Sequence, residues 1–271
     1  MQRASVLVFA GSDPSGGAGI QADIEAIAAQ GAHALPIITA LTVQDNDRVY
    51  AVHPVAAGIM LHQAQVLTDK IPIAAIKIGI IASKINAQAI ADWIISYKKN
   101  HPALPVILDP VLASGHGDAL AVENAAEALL PLLRIATLIT PNLPEAAALC
   151  TNTTDLSAQA QHLFSYGARD IFIKGGHGNA NVITNSWFHQ PHTTQGAAQL
   201  NTWQWPRLEG AFHGSGCTLA AAIAAQLANG QPMSAALQEA QLYCQHSLAQ
   251  AYSICPGQRI PDRKPTTPYS A

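Results

Sequence analysis

Charge is scarce in this chain. Of 271 residues only 11% are Asp, Glu, Lys or Arg, the formal net charge is -3, and no run of basic residues occurs. A nucleic-acid-binding surface is therefore excluded. No apolar stretch approaches the ~20 residues that a bilayer span needs, which excludes a membrane anchor. The apolar opening from Val6 to Ala10 runs straight into a glycine loop and is too short for a signal peptide. Cysteine is sparse too. Cys150, Cys217, Cys244 and Cys255 fit neither a zinc site nor a disulfide framework in a chain of this length. The eleven histidines show no metal spacing, and the four tryptophans and six tyrosines are scattered. These absences leave a reduced, cytoplasmic enzyme as the expectation.

Apolar residues are abundant, at 49%, enough to bury a sizeable core. Near-continuous apolar runs occur at 6–11, 34–41, 73–81, 105–110, 136–140 and 170–176. Such runs fit strands covered on both faces. Helical patterns lie between them, at 20–30 and 85–99. The alternation predicts an α/β fold with a mostly parallel sheet and helices on both faces. Two segments break the rhythm: 48–54 predicts a small β flap beside the main sheet, and 181–205 predicts antiparallel strands. From Gly214 onward two helices follow, with Gly230 as a C-cap between them. Residues 256–271 carry four prolines and predict an extended, partly loose tail. No repeat or linker divides residues 1–271, so one domain is expected.

The unusual residues cluster at strand ends, where doubly wound sheets bind ligands. The loop Gly11 to Gly19 is rich in small residues and opens a helix, so backbone can approach a ligand closely. It lacks the Gly-Lys-Ser/Thr of a Walker loop. Gly17, Gly19 and Ala22 match a dinucleotide fingerprint, but five residues too far from the strand. The strongest signal is Gly214-Ser215-Gly216-Cys217 running into an alanine-rich helix. Free N–H groups there form an anion hole, and the helix dipole favours a Cys217 thiolate able to accept a proton. Lys174, before two glycines, reaches phosphate oxygens. Asn142 and Glu145 read either as a capping box or as organisers of Mg²⁺, with Asp109 in the same metal role. His213, beside the glycines of the anion hole, either packs there or takes part.

In order along the chain, AGSDPSGGAGIQAD (10–23), ITALTVQD (38–45), KIGI (77–80), ILDPV (107–111), LITPNLPEAAAL (138–149), IKGGH (173–177) and HGSGCTLAAA (213–222) resemble the hydroxymethylpyrimidine/phosphomethylpyrimidine kinases of thiamin biosynthesis. The resemblance runs from about residue 5 to about residue 250. It implies a ribokinase-like three-layer sandwich, ATP with Mg²⁺, a small pyrimidine substrate and a homodimer. It implies that Cys217 takes the place of a catalytic aspartate, with Gly214, Ser215 and Gly216 as the anion hole. Lys174 then contacts ATP phosphate, while Asn142 and Glu145 serve the Mg-ATP end. The pyrimidine is held by Gln44, with Ala18, Asp23, Thr42 and Ile80 around it. An amide at Gln44 can donate to and accept from an aminopyrimidine edge at once. The chain departs from the family pattern at Phe212, Ser215, Ile80 and Thr42. Three other readings stand beside this one: a pyridoxal kinase, an NAD(P)-binding oxidoreductase, and a non-catalytic pyrimidine-binding protein.

Overall fold

The computed structural model describes residues 2–118, 120, 125–150, 153–178, 180–190 and 198–265. Along the chain run β1 (Ser5–Ser12), α1 (Gly19–Ala29), β2 (His33–Gln44), β3 (Val49–Pro54), α2 (Ala57–Thr68), β4 (Ala75–Ile78), α3 (Lys84–Lys98), β5 (Val106–Leu108), α4 (Ala125–Leu133), β6 (Leu138–Ile139), α5 (Leu143–Leu149), α6 (Leu156–Phe164), β7 (Asp170–Ile173), β8 (Val182–His189), β9 (Ala198–Pro206), α7 (Ser215–Ala228) and α8 (Met233–Ala249). The strands form one sheet in the order β3-β2-β1-β4-β5-β6-β7-β8-β9. The six strands from β2 to β7 are parallel, and β3, β8 and β9 are antiparallel to their neighbours.

Strand side chains alternate between faces, and here each face has its own core. Leu7 and Phe9 of β1 join one apolar cluster, while Val6, Val8 and Ala10 join the other. The first cluster is covered by α2 to α6 and the second by α1, α7 and α8. This is why the strand sequences read as continuous rather than alternating apolar runs. It is the expected three-layer arrangement. Between β1 and β4 the chain turns in opposite directions, β1 toward α1 on one face and β4 toward α3 on the other. That divergence opens a crevice beyond the strand ends.

Three expectations change in detail. β2 is longer than the apolar run suggested, so Thr42 and Gln44 lie within the strand rather than after it. The flap is an edge strand of the main sheet, with Leu41 paired to His53 and Val43 to Ala51. The tail is not loose over its described part: Gln258, Ile260 and Arg263 are buried, and the Arg259 N–H donates to the Ala211 carbonyl. Gly230, expected as a C-cap, stands one residue beyond it at φ +83. There its N–H donates to Leu227 O, and that of Gln231 donates to Gln226 O. These two bonds are a Schellman closure of α7. Among the described residues no helix is long and apolar enough to cross a membrane.

Candidate active site

The crevice is a cleft of about 490 Å³, within the usual size of a small-molecule site. Its floor is the N-terminus of α7. Gly214 caps that helix at φ +79, and a Cβ there would run into Gly17 O. The glycine loop after β1 and the turn before α7 therefore meet backbone to backbone, which only glycine permits. A Cβ on Gly17 would likewise strike the His213 ring. His213 Nε2 lies 2.8 Å from Asp13 Oδ2, and the same carboxylate accepts the N–H groups of Ser15 (2.8 Å) and Ala18 (2.7 Å). Burial works to raise the Asp13 pKa, but His213 and Ser15 outweigh it and hold the carboxyl below the usual aspartate value.

Lys174 follows β7 and Asp109 follows β5, on strands separated only by β6. Lys174 Nζ sits 2.7 Å from Asp109 Oδ1. Thr140 Oγ1 donates to the same oxygen at 3.2 Å. The pair stands directly off the first turn of α7: a Cβ on Gly216 would lie 3.3 Å from Lys174 Nζ and 3.7 Å from Asp109 Oδ2. Burial opposes the Lys174 charge, but Asp109 and Glu145 hold its pKa up. Asn142 and Glu145 form the capping box of α5, each side chain accepting the other residue's N–H at 2.8 Å. Glu145 also borders the cleft. Burial pushes its pKa up to about 7, Lys174 pulls it down, and Asp109 pushes it further up.

Gly214, Ser215, Gly216, Cys217, Lys174, Asp109, Asn142 and Glu145 thus line one end of the cleft, and Ala18, Thr42, Gln44 and Ile80 line it as well. Thr42 Oγ1 donates to Ser12 O at 2.8 Å, so its hydroxyl is spent on the frame. The Gln44 amide has no hydrogen-bond partner among the described residues and borders the cleft. Asp23 is not a lining residue. It is fully buried beneath the floor and accepts from Lys77 Nζ at 2.8 Å. Lys77 is equally buried; its own burial opposes the charge, but Asp23 holds its pKa up. The expected Cys217 thiolate is also corrected. Burial pushes the thiol up to about 11, against the pull of Lys77, so the sulfur is protonated at neutral pH. The helix terminus does not overcome desolvation.

Sequence reasoning missed the Asp13–His213 pair, Lys77 and Arg263. The cleft mouth was missed as well. There Arg48 grips Asp118 through Nε and Nη2, and His116 Nε2 lies 2.9 Å from Asp47 Oδ1. At the Gly17–Gly19–Ala22 fingerprint the His213 ring covers Gly17, whose N–H donates to Ser15 Oγ at 3.3 Å and whose carbonyl accepts from Arg263. Phe212, a departure from the resembled pattern, lines the cleft under the Arg259 guanidinium, 4.7 Å from ring centroid to Cζ.

Among the described residues no three metal-ligating side chains come together. Mg²⁺ needs few protein ligands, since it keeps waters and phosphate oxygens. Asp109 and Glu145 both border the cleft, and the Asp109 charge acts on Glu145, so the two carboxyls fit that sparse role.

Residues 13–261 match the model of the family described as phosphomethylpyrimidine kinase. The hydroxymethylpyrimidine/phosphomethylpyrimidine kinase of Rhizobium meliloti is 35% identical, covering 94% of this chain and 94% of its own. Among solved structures, a pyridoxal kinase from Staphylococcus aureus in complex with pyridoxal superposes with a TM-score of 0.82 at 26% identity, over 98% of this chain and 95% of that one. A phosphomethylpyrimidine kinase from Clostridium difficile superposes with a TM-score of 0.74 at 28% identity, over 91% and 100%.

Proposed function

The chain belongs to the phosphomethylpyrimidine kinase family and is a kinase of the ribokinase-like fold, and on that premise we propose its substrate and the role of each site residue. The substrate is 4-amino-5-hydroxymethyl-2-methylpyrimidine, followed by its monophosphate, in thiamin biosynthesis. The observation that carries this reading is the placement of two features in one cleft: the Lys174–Asp109 pair off the N-terminus of α7, and the unpaired Gln44 amide.

In this reading Gln44 binds the aminopyrimidine edge, with Ala18, Thr42 and Ile80 against the ring. The hydroxymethyl oxygen faces the first turn of α7 and attacks the γ-phosphorus of ATP in line, and the bond to the bridging oxygen breaks to release ADP. Lys174 and the N–H groups of Ser215 and Gly216 hold the equatorial oxygens, which is where the charge of a loose transition state resides. Cys217, a thiol at rest, packs at that turn. The Asp109 carboxylate accepts the hydroxyl proton. Asp109 and Glu145 would hold Mg²⁺, which would supply charge neutralisation at the phosphate oxygens. In the second step the phosphate oxygen of the monophosphate is the nucleophile. Most of the rate comes from positioning.

A homodimer and a cytoplasmic location complete the proposal. Exposed Leu41 and Val43 on β2, beside the flap, with Ile59 and Val66 on α2, support the dimer. Pyridoxal is the second reading, favoured by the superposition on the pyridoxal-bound kinase. The test is Mg-ATP consumption with hydroxymethylpyrimidine, its monophosphate and pyridoxal offered separately. Turnover of both pyrimidines is expected. Turnover of the first alone removes the second step, and preference for pyridoxal replaces the assigned substrate.

A further inference from the structure

Arg263 lies in the proline-rich end of the chain, outside every helix and strand, yet it is only 5% exposed. A buried guanidinium is costly unless each of its N–H directions is used. Here all three are. Nε donates to Thr218 Oγ1 at 2.8 Å, Nη1 to Glu25 Oε2 at 3.1 Å, and Nη2 to Gly17 O. Thr218 Oγ1 in turn donates to Gly214 O at 2.8 Å. One side chain therefore joins the glycine loop, through the residue before Ala18, to the N-cap of α7. A positive charge beside a helix N-terminus opposes the helix dipole, so packing alone does not explain an arginine there.

The segment that carries it is built onto the turn before α7. Arg259 donates its N–H to Ala211 O and accepts that of His213, both at 2.9 Å. The Tyr243 hydroxyl donates to the Arg263 carbonyl at 3.0 Å. Arg263 does not line the cleft, so it touches no substrate and acts only through the backbone that it holds.

We infer that Arg263 is a positioning residue, whose planar fork sets the separation between the glycine loop and the first turn of α7. A guanidinium fixes two partners at a defined spacing, which neither an ammonium nor an apolar side chain can do. The kinetic part of the test rests on the proposed kinase function, and the chemical part does not.

The experiment compares wild type, R263A, R263K and the exposed control K264A by pyrimidine turnover and by the iodoacetamide alkylation rate of Cys217, followed by peptide mass spectrometry. Each is measured with and without added guanidinium ion, well below the melting temperature of each variant. R263A is expected to lower kcat about ten- to hundredfold, the worth of a charged hydrogen bond, and to raise Cys217 alkylation as the floor opens. Guanidinium restores both, R263K recovers only part, and K264A matches wild type. A lowered melting temperature with unchanged kcat and alkylation overturns the inference. If R263A does not fold, R263K decides: wild-type values in both assays overturn the role of the fork. If wild type turns over neither pyrimidine, the substrate reading fails, and alkylation with guanidinium rescue still decides the role of Arg263.

Discussion

His213 Nε2 lies 2.8 Å from Asp13 Oδ2, across 200 residues of sequence. The pair clamps the first glycine loop onto the turn that opens α7. Because the folded Asp13 pKa is lowered, its stabilising contribution is full above the range of an unfolded aspartate and is lost as pH falls through the folded value. Asp13→Asn is expected to cost about 1.5–3 kcal/mol near neutral pH. Melting curves against pH check this: the gap between wild type and variant should be full above about pH 5 and shrink on acidification. A gap independent of pH would show that the carboxylate charge is not what holds the loops.

Much of this architecture is legible in the sequence. Burial on both faces leaves continuous apolar runs, and β1, β4, β5 and β7 stand where those runs stand. The glycines before Cys217 and the Asn142–Glu145 spacing mark helix starts because the cap needs those residue types locally. What stays hidden is whatever depends on partners far along the chain. Asp13 and Arg263 look like an ordinary turn residue and an ordinary tail residue until His213, Gly17 and Thr218 arrive beside them. The Cys217 thiol differs from its sequence expectation for a related reason: its helix position is local information, whereas its desolvation comes from packing. Asp23, placed beside the pyrimidine by the family resemblance alone, is instead the buried partner of Lys77, and nothing local in the sequence shows Lys77 pointing to the same face.

Lys174→Met should leave Asp109 buried without its partner and destabilise the fold by about 3–5 kcal/mol. Adding Asp109→Asn removes the stranded charge, so the double variant should regain part of the lost melting temperature and no activity. Asp109→Asn alone should lower kcat about 10²–10⁴-fold, the usual worth of a general base. Thermal melts and steady-state kinetics on the three proteins check the set. A single Asp109→Asn variant with normal kcat would remove Asp109 as the proton acceptor.

Gln44→Ala should raise KM for the pyrimidine about ten- to hundredfold, since two hydrogen bonds to the ring edge are lost. Thr42→Val is expected to act differently. It removes the bond to Ser12 O and should cost about 1 kcal/mol of stability, with little change in KM. Paired KM and melting measurements separate a hydrogen bond to the ligand from one within the frame. A large KM effect at Thr42 would reverse that assignment.

Alkylation of Cys217 by iodoacetamide should rise with pH through neutrality toward a midpoint about pH 11, since the thiolate is the reactive form and burial holds the thiol there. Rates over pH 6–10, resolved for this cysteine by peptide mapping, check it. A plateau reached by pH 8 would mean that the helix terminus does yield a thiolate.

The closure between Asp13 and His213 also fixes when the site can exist during synthesis. A ribosome adding about 5–20 residues per second emits Asp13 some ten to forty seconds before its partner, and Gly17 waits longer still for Arg263. The central strand and its loop are made well before the groups that seal them, which follow 200 and 246 residues later. A nascent or prematurely terminated product can therefore fold much of its sheet while holding no catalytic centre. In such a chain, phosphoryl transfer begins only once Arg263 has been added and has emerged.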